Sequence, residues 1–564
     1  MSTEAAGNAL ISVYDKTGIE EFAAGLHELD WTIYASGGTH RAITEAGVPA
    51  IDVAELTGGG AILGHRVVTL SREVGAALLA NLDSEEDMEE MKEKGYPLID
   101  LVCQDSYPLE AEIAKPDATP ESVLAQSDIG GPTLLREGAK GKRIVLSVAE
   151  QRQQVLEWLR DGRPNEEEFR QTLINRAVYE VARYTMIEAK YWNGDQMSGH
   201  IALWSANTKY GENPQQDKAA FYADNRVDVD PLGLDQFEHV QGWELSFVNM
   251  TDMDRLLQTS THIAAGFERN FEYVPHMAVG VKHGNACGAA VGGTLNEAVQ
   301  KMLEGDTRAI FGGVVMINGE IDKEIAETLM HYAMDEDDDS SRLLDGVVGS
   351  GVTEEALEVL TRAKLRIVVN PALANLNEAS LDTSRRQRPV RGGFLEQPNH
   401  TFVQDLSADN VEVHGTEELS EQQREDMILA WAVGSTSNSN TITLVKDGKL
   451  IGNGVGQQDR VGAAHLAIAR TTTATPFVQY RLGASPIIAA ELDEEKLDHA
   501  VAYSDSFFPF ADGPQLLVDA GVTTILTTRG SRNDGEVIET LTSGGVTVVT
   551  VPDKEARGFF GHGS

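Results

Sequence analysis

The chain has 564 residues, of which 41% are hydrophobic and 24% charged, a composition typical of a folded globular protein. Its 46 basic and 88 acidic residues give a formal net charge of −42, which repels nucleic acids and anionic membranes. We therefore expect neither as a partner and interpret the acidity as a solubility or high-salt adaptation. Two cysteines, Cys103 and Cys287, exclude a disulfide framework and favour a reducing cytoplasm.

The first 150 residues alternate strand and helix signals, which predicts a parallel α/β sheet. Between the first two strands, Phe22, Leu26 and Leu29 share one face of a helix. The strands are predicted at four short β-rich runs, 9–14, 31–36, 98–103 and 143–148.

Residues 149–193 are predicted to form a helical connector, and the domain boundary is placed near residue 200. The domains are then 1–199 and 200–564, the second being a large α/β region of two lobes. Within it, Asp447-Gly448 between apolar runs predicts a β-hairpin. The order helix, glycine, buried strand is predicted twice, at 516–528 and 539–551.

Two loops near the N-terminus have the composition of an anion-binding site. SVYDKTG (12–18) and SGGT (36–39) each follow a strand and open a helix. Backbone N–H groups at a helix N-terminus attract phosphate, and glycines let it approach closely. Either loop alone could be an ordinary capping turn, but two at equivalent strand ends favour phosphate binding. SDIGGPTLLREGAK (127–140) adds further polar and cationic groups.

A Lys282–His283 pair lies within the glycine- and alanine-rich stretch VGVKHGNACGAAVG (279–292). Small residues allow a ligand to approach the backbone closely. An ammonium beside an imidazole suits a reaction in which a proton moves while negative charge develops. The dipeptide alone is weak support, because such pairs also occur on ordinary surfaces.

Taken in order, many stretches of the chain resemble the bifunctional purine-biosynthesis family that joins AICAR transformylase to IMP cyclohydrolase. Besides the loops above, they are RVVTL (66–70), DSYPLE (105–110), AKP (114–116), KYGENPQQ (209–216), IFGG (310–313), SNSN (437–440), GVGQQDR (454–460), SDSFFPFADGP (504–514) and GSRNDGEVI (530–538).

The resemblance implies a methylglyoxal synthase-like first domain and a second domain of two cytidine deaminase-like lobes without a metal. It implies transfer of a formyl group from 10-formyltetrahydrofolate to AICAR, followed by ring closure to IMP. The expected partners are these small molecules and a second copy of the chain, since the family is homodimeric with a transformylase site between subunits.

For the transformylase, the resemblance implies that His283 accepts a proton and Lys282 stabilises developing charge. Asn440 would hold the formyl oxygen or the geometry of His283, and Asp512 would accept hydrogen bonds from the substrate. The implied nucleotide contacts are Lys209, Tyr210, Phe311, Gly312, Gly313, Arg460 and Arg557. The implied folate pocket contains Phe508 and Pro509, within the apolar run 507–510.

For the cyclohydrolase, the matching residues are Ser12, Lys16, Thr17, Ser36, Gly37, Gly38, Thr39, Arg66, Thr69, Tyr107, Asp128 and Lys140. The chain departs from the family at Val68, where a lysine is expected to stabilise an oxyanion, and at Ser71-Arg72, where the family has His-Pro. Valine cannot supply that charge.

Three hypotheses therefore stay open. The first is a transformylase whose N-terminal domain binds nucleotide but closes the ring slowly or not at all. The second is a fully bifunctional enzyme in which Arg72 or Lys140 substitutes for the lysine. The third is a nucleotide-binding homologue without catalysis. An enzyme acting on a related imidazole or pyrazole ribotide is a further alternative.

Overall fold

A computed structural model of the protein describes residues 6–63, 67–224, 229–306, 309–334, 341–415, 418–472 and 497–560. The chain divides into two compact units, the first covering Met1–Leu203 and the second nearly all of the rest. No helix among the described residues is long and apolar enough to cross a membrane.

The first unit contains a five-stranded parallel sheet of order β3-β2-β1-β4-β5. Its strands are β1 (Gly7–Ser12), β2 (Trp31–Ala35), β3 (Ile51–Asp52), β4 (Leu101–Gln104) and β5 (Ile144–Leu146). Its helices are α1 (Ile19–Glu28), α2 (Gly37–Glu45), α3 (Val53–Thr57), α4 (Arg72–Leu79), α5 (Glu85–Lys94), α6 (Leu109–Ile113), α7 (Pro120–Ala125), α8 (Gly130–Lys140), α9 (Gln151–Arg160) and α10 (Glu166–Asn193). The predicted parallel sheet and the helices after it are confirmed.

Both faces of this sheet are buried, which explains the nearly continuous apolar strands. In β1, Ala9 and Ile11 belong to one hydrophobic cluster, whereas Leu10 belongs to the cluster on the opposite face. Because the strands are parallel, their carboxyl ends lie at one edge, where Ser12 and Ser36 emerge.

The second unit contains a twelve-stranded mixed sheet of order β18-β23-β22-β21-β19-β20-β10-β9-β11-β13-β15-β8. Its strands, with those of three small two-stranded sheets, are β6 (Leu203–Asn207), β7 (Ala220–Ala223), β8 (Glu238–Gln241), β9 (His276–Lys282), β10 (Asn285–Gly292), β11 (Val314–Ile317), β12 (Glu320–Ile321), β13 (Gly346–Gly349), β14 (Gly351–Val352), β15 (Arg366–Val369), β16 (Arg385–Val390), β17 (Gly393–Pro398), β18 (Glu412–His414), β19 (Ile442–Lys446), β20 (Lys449–Gly454), β21 (Val501–Ser504), β22 (Thr524–Arg529) and β23 (Thr547–Pro552). The helices are α11 (Phe247–Phe271), α12 (Leu295–Glu304), α13 (Lys323–His331), α14 (Glu354–Val359), α15 (Glu421–Ser435), α16 (Arg460–Thr472), α17 (Asp512–Asp519), α18 (Asp534–Ser543) and α19 (Asp553–Ala556).

This unit is built from two lobes with the same order of elements. Each begins with a long helix, α11 or α15, followed by an antiparallel hairpin, β9–β10 or β19–β20. Three helix–strand steps follow in each lobe among the described residues, and β10 pairs antiparallel with β20 where the lobes meet. The hairpin predicted at Asp447-Gly448 and the two helix–glycine–strand segments are confirmed.

The long helices α11 and α15 pack on one face of the large sheet, around a core that includes Phe267 and the fully buried Trp431. Separate clusters under α12–α14 and under α16–α18 cover the other face, one in each lobe. The hairpin turns project from this buried frame, so their positions are fixed by the core.

Candidate active sites

The Lys282–His283 pair lies at the tip of the β9–β10 hairpin. His283 and Gly284 form its two-residue turn, with φ angles of 54° and 72°. Two successive positive φ angles are typical of a type I′ turn, which matches the twist of the flanking strands. Glycine adopts this conformation readily, whereas a histidine there needs support from its surroundings.

That support comes from Asp252 on α11, whose side chain is 4% exposed. Its Oδ1 accepts a hydrogen bond from the Gly284 amide at 2.8 Å. Burial raises the pKa of Asp252, and the Gly284 amide and the nearby charge of His283 oppose that rise. A buried carboxylate therefore lies directly beneath the turn.

Lys282 contacts the segment 311–313, which the resemblance assigns to nucleotide binding. Its Nζ donates to the Phe311 carbonyl oxygen at 2.5 Å. At Gly312, with φ 74°, an added Cβ would lie 3.8 Å from Nζ. The Gly312 amide in turn donates to Leu343 O at 2.8 Å. The structure thus brings Lys282, His283, Phe311 and Gly312 together.

A cavity of about 330 Å³ opens beside this turn, between the two lobes. Lys282, His283 and Asn285 line it from the first lobe, and Asn453 and Arg470 line it from the second. Ala286 and Gly452 leave space at the wall, which also contains the aliphatic side chains of Leu450, Ile451 and Val455. An imidazole, an ammonium and small residues around one cavity can accept a proton and stabilise negative charge on a closely held ligand.

Asn440 is held by Gln457 and Arg460. Its Nδ2 donates to Gln457 O at 3.0 Å, and its Oδ1 accepts from Arg460 Nη1 at 2.7 Å. Arg460 also pairs with the fully buried Asp505 at 3.0 Å. In this structure the Arg460 guanidinium is therefore directed at protein groups and fixes the orientation of the Asn440 amide.

The loop that carries Asn440 is joined to the His283 hairpin. The Asn438 amide donates to Asn285 Oδ1 at 3.1 Å, and Asn438 Oδ1 accepts from Arg255 Nη2 at 3.2 Å. Arg255 also donates to Thr436 O and to Phe560 O, and burial lowers its pKa to about 10.

Sequence reasoning missed Asp252 and Arg255, which lie one helical turn apart on α11 and hold the two loops of the site. Lys282-His283-Gly284 and Lys446-Asp447-Gly448 occupy the same position in the two lobes, but neither tripeptide indicates which residue of the preceding helix supports it.

The residues of the FFPF run differ in exposure. Phe508 is 2% exposed and belongs to the core of the second lobe, whereas Phe510 is 62% exposed. Pro509 is also exposed, and Asp512 begins α17 with its Oδ1 accepting from the Gly513 amide at 2.9 Å. Pro509 and Phe510 are thus the exposed members of the run, Phe507 is half-buried, and the expected place of Phe508 in a folate pocket is not supported by its burial in the core.

Arg557, Lys209 and Tyr210 lie at other points of the unit. Arg557 pairs with Asp553 and lies 5.8 Å from the centre of the Phe507 ring. Lys209 is exposed, with its Nζ 4.5 Å from the centre of the Trp243 ring, and Tyr210 follows it. Within the described part of the chain, no hydrogen bond or ion pair joins these residues to the His283 turn.

In the first unit, the predicted anion-binding loops meet at the carboxyl edge of the sheet. The Ser12 and Ser36 hydroxyls are 2.7 Å apart. Lys16 Nζ donates to Tyr14 O at 3.1 Å. The Lys16 Cε would lie 3.4 Å from a Cβ placed on Gly38, so this side chain lies close to the start of α2, which begins at Gly37. An ammonium, two hydroxyls and a helix N-terminus therefore surround one point, as a phosphate site requires.

Buried contacts hold this cradle in place. The Thr39 hydroxyl accepts from the Val13 amide at 3.2 Å and donates to Val13 O at 3.1 Å. Arg152, with a side chain 6% exposed, donates to Thr17 O at 2.6 Å and pairs with Asp105 at 3.1 Å. Thr39 and Thr17 thus contribute to the architecture of the loops.

Asp128 and Tyr107 lie at the same edge. Asp128 Oδ1 accepts from the Gly131 amide at 2.9 Å, and burial raises the pKa of its carboxyl group. The ring of Tyr107 is 5.6 Å from that of Tyr14, next to Lys16. Thr69 is buried, with Oγ1 3.5 Å from a Cβ placed on Gly130.

The structure does not bring Lys140 to this edge. Lys140 ends α8, whereas Asp128 precedes the helix, so the 11-residue helix separates them by about 16 Å at 1.5 Å per residue. Val68 packs against the hydrophobic cluster on one face of the sheet. Arg66 lies outside the described residues.

Among the described residues, no group of three or more His, Cys, Asp or Glu side chains could hold a metal ion. The two units thus present two separate candidate sites, a proton-transfer site and a phosphate cradle, as a bifunctional enzyme would.

Comparison with known proteins agrees with this arrangement. The family described as "AICARFT/IMPCHase bienzyme" matches residues 139–470, and the "MGS-like domain" matches residues 18–133. The chain therefore belongs to the AICARFT/IMPCHase bienzyme family, and its first unit is an MGS-like domain.

Relatives match over almost the entire length. The chain is 34% identical to the "Bifunctional purine biosynthesis protein PurH" of Staphylococcus carnosus, over 96% of this chain and 97% of that protein. It is 33% identical to the PurH of Anoxybacillus flavithermus, over 96% and 98% of the two chains. A solved structure, "Crystal structure of ForH", is 35% identical and covers 33% of this chain and 98% of its own, with a TM-score of 0.30.

Proposed function

We propose that the second unit transfers the formyl group of 10-formyltetrahydrofolate to the amino group of AICAR in purine biosynthesis. The observation that carries this proposal is the His283 turn, which places an imidazole and the Lys282 ammonium at one cavity between the two lobes. Membership of the AICARFT/IMPCHase family supports the identity of both substrates.

The chemistry needs a base because the AICAR amine is a weak nucleophile. As its nitrogen attacks the formyl carbon, His283 takes a proton and Lys282 stabilises the oxygen that gains negative charge. The proton then passes to the folate nitrogen, whose bond to the formyl carbon breaks. One preorganised electrostatic contact of this kind lowers the activation free energy by about 3–4 kcal/mol.

We further propose that the first unit binds the phosphorylated product in the cradle of Ser12, Lys16 and Ser36, but closes the ring slowly. Val68 packs against a hydrophobic cluster where the family has a lysine, and Lys140 lies at the far end of α8. Ring closure is intramolecular, so a residual rate is compatible with the missing charge. A homodimer and a cytoplasmic location are part of the same proposal.

The product of the wild-type protein tests this function. Purified protein is incubated with AICAR and 10-formyltetrahydrofolate. The nucleotides are then separated by chromatography and identified by mass spectrometry. Formyl-AICAR accumulating ahead of IMP supports the proposal. IMP appearing as fast as formyl-AICAR is made would favour the fully bifunctional alternative, and no formyl transfer would favour a non-catalytic homologue.

A further inference from the structure

The buried carboxylate of Asp252 lies under the His283 turn and contacts its backbone. The Gly284 amide donates to this carboxylate at 2.8 Å, and the neighbouring His283 backbone also lowers its pKa against the effect of burial. Asp252 is fixed on the 25-residue helix α11, which packs into the main core of the unit. The position of His283 is therefore determined by a rigid element and not by the loop alone.

The second lobe contains the same construction without a histidine. Asp426 on α15 is 2% exposed and accepts from the amides of Asp447 at 2.9 Å and Gly448 at 2.7 Å. Asp447 and Gly448 have φ angles of 53° and 74°, which match the His283 turn. Supporting a hairpin turn is thus a shared role of both carboxylates.

What differs is the side chain that each carboxylate faces. In the second lobe, Asp447 carries a like charge, and together with burial it raises the pKa of Asp426 to about 6. In the first lobe, burial also raises the pKa of Asp252, but the Gly284 amide and the charge of protonated His283 oppose that rise. In the first lobe, the buried carboxylate therefore lies beneath a turn that carries a base, whereas the turn of the second lobe carries a second carboxylate.

We propose that Asp252 is a positioning residue for formyl transfer, which holds the His283 turn and stabilises the imidazolium that forms when His283 takes the amine proton. The inference rests on the proposed function. A buried carboxylate that orients a histidine and stabilises its charged form is an effective partner of a general base. The proton leaves the imidazolium when the folate nitrogen accepts it, so no further reactant is needed.

Other charged groups face this turn. Lys282 lies on β9, Asp306 follows α12, Arg470 lies on α16 and Asp345 precedes β13. Asp306 and Arg470 pair with each other at 2.9 Å, so their charges largely offset one another at the cavity. Asp252 is the carboxylate that contacts the turn itself.

The test compares Asp252→Asn with Asp426→Asn in the full-length protein. Asparagine keeps one acceptor oxygen for the glycine amide of each turn, removes the charge, and replaces the second acceptor oxygen with an NH2 group in both variants. For Asp252→Asn we expect kcat for formyl transfer to fall about tenfold or more, with KM for AICAR within about threefold of wild type. The pH at which kcat reaches half its maximum on the acid side should move lower, because the base loses the charge that favours its protonation. Asp426→Asn should leave kcat and its pH profile unchanged.

If Asp252 only stabilises the fold, both variants should lose thermal stability, while kcat and the acid side of its pH profile stay at wild-type values. That result would overturn the inference. If Asp252→Asn is insoluble, Asp252→Glu and Asp252→Gln give the same comparison, one with the charge and one without. Equal formyl-transfer rates for Asp252→Glu and Asp252→Gln would also contradict the inference. An inactive wild-type protein would instead refute the proposed function.

Discussion

His283 and Asp447 occupy equivalent positions in the two lobes of the second unit. Each is the first residue of a two-residue turn with positive φ, each follows a lysine and precedes a glycine, and each lies over a buried aspartate. The turn that carries histidine also lines the cavity between the two lobes. Both lobes thus have a two-residue turn supported by a buried aspartate, and the turn of the first lobe is also the candidate catalytic site.

Restoring a cation at position 68 should increase ring closure. In Val68→Lys, a side chain that packs at the edge of a hydrophobic cluster is replaced by one that can extend its ammonium beyond it. We expect the ratio of IMP to formyl-AICAR to rise by about tenfold or more, as a single charge contact in a reaction site is worth several kcal/mol. Chromatographic analysis of products measures this ratio. An unchanged ratio with intact formyl transfer would show that Val68 does not limit the cyclohydrolase.

Lys16 and Lys140 should differ in their effect on nucleotide binding to the first unit. Lys16 lies over the start of α2, whereas Lys140 is at the opposite end of α8 from Asp128. We expect Lys16→Ala to weaken IMP binding about tenfold or more, since charge-assisted hydrogen bonds contribute about 1.5–3 kcal/mol. Lys140→Ala should bind as wild type. Calorimetric titration with IMP measures the affinity of both variants. A larger loss of affinity for Lys140→Ala would show that the phosphate does not bind beside Lys16.

The FFPF run should separate into core and ligand-facing residues. Phe508→Ala should lower the free energy of unfolding by about 3–5 kcal/mol, because it empties a buried site. Phe510→Ala, at a residue 62% exposed, should leave stability nearly unchanged and raise KM for the folate. Thermal unfolding and folate saturation curves distinguish the two. If KM for the folate changes for Phe508→Ala and not for Phe510→Ala, the assignment of Phe510 as the folate-facing residue would be wrong.

Two buried histidines should make the second unit sensitive to acid. Burial lowers the pKa of His262 to about 3 and that of His400 to about 4, from an ordinary value of 6.5. Both are neutral when folded, so the unfolded chain binds more protons below about pH 6.5 and stability falls as the pH falls toward 4. Each unit of pKa difference corresponds to about 1.4 kcal/mol.

Replacing one of these histidines should reduce that sensitivity. The melting temperature of His400→Gln, measured between pH 4.5 and 7.5, should fall less steeply with acid than that of wild type. His331→Gln, at a side chain 51% exposed, is the matched control and should keep the wild-type slope. Parallel slopes for His400→Gln and wild type would exclude His400 as a source of the acid response.

The sequence predicted four of the five strands of the parallel sheet, because burial on both faces makes most of them apolar runs, whereas the two-residue β3 was too short to give such a pattern. It also predicted the Asp447-Gly448 hairpin, since that dipeptide favours one turn geometry. The supports of the site could not be found in this way. Asp252 and Arg255 act through backbone groups distant in sequence, and the position of Lys140 depends on the direction in which α8 crosses the sheet. Local pattern carries no information on such contacts.

The most direct test of the account compares His283→Asn with Asp447→Asn in a single-turnover assay of formyl transfer. Asparagine tolerates the left-handed conformation, so both hairpins should form. We expect the rate to drop by about 10²–10⁴-fold for His283→Asn and to stay at the wild-type value for Asp447→Asn. Undiminished formyl transfer by a folded His283→Asn protein would contradict the assignment of this histidine as the proton acceptor.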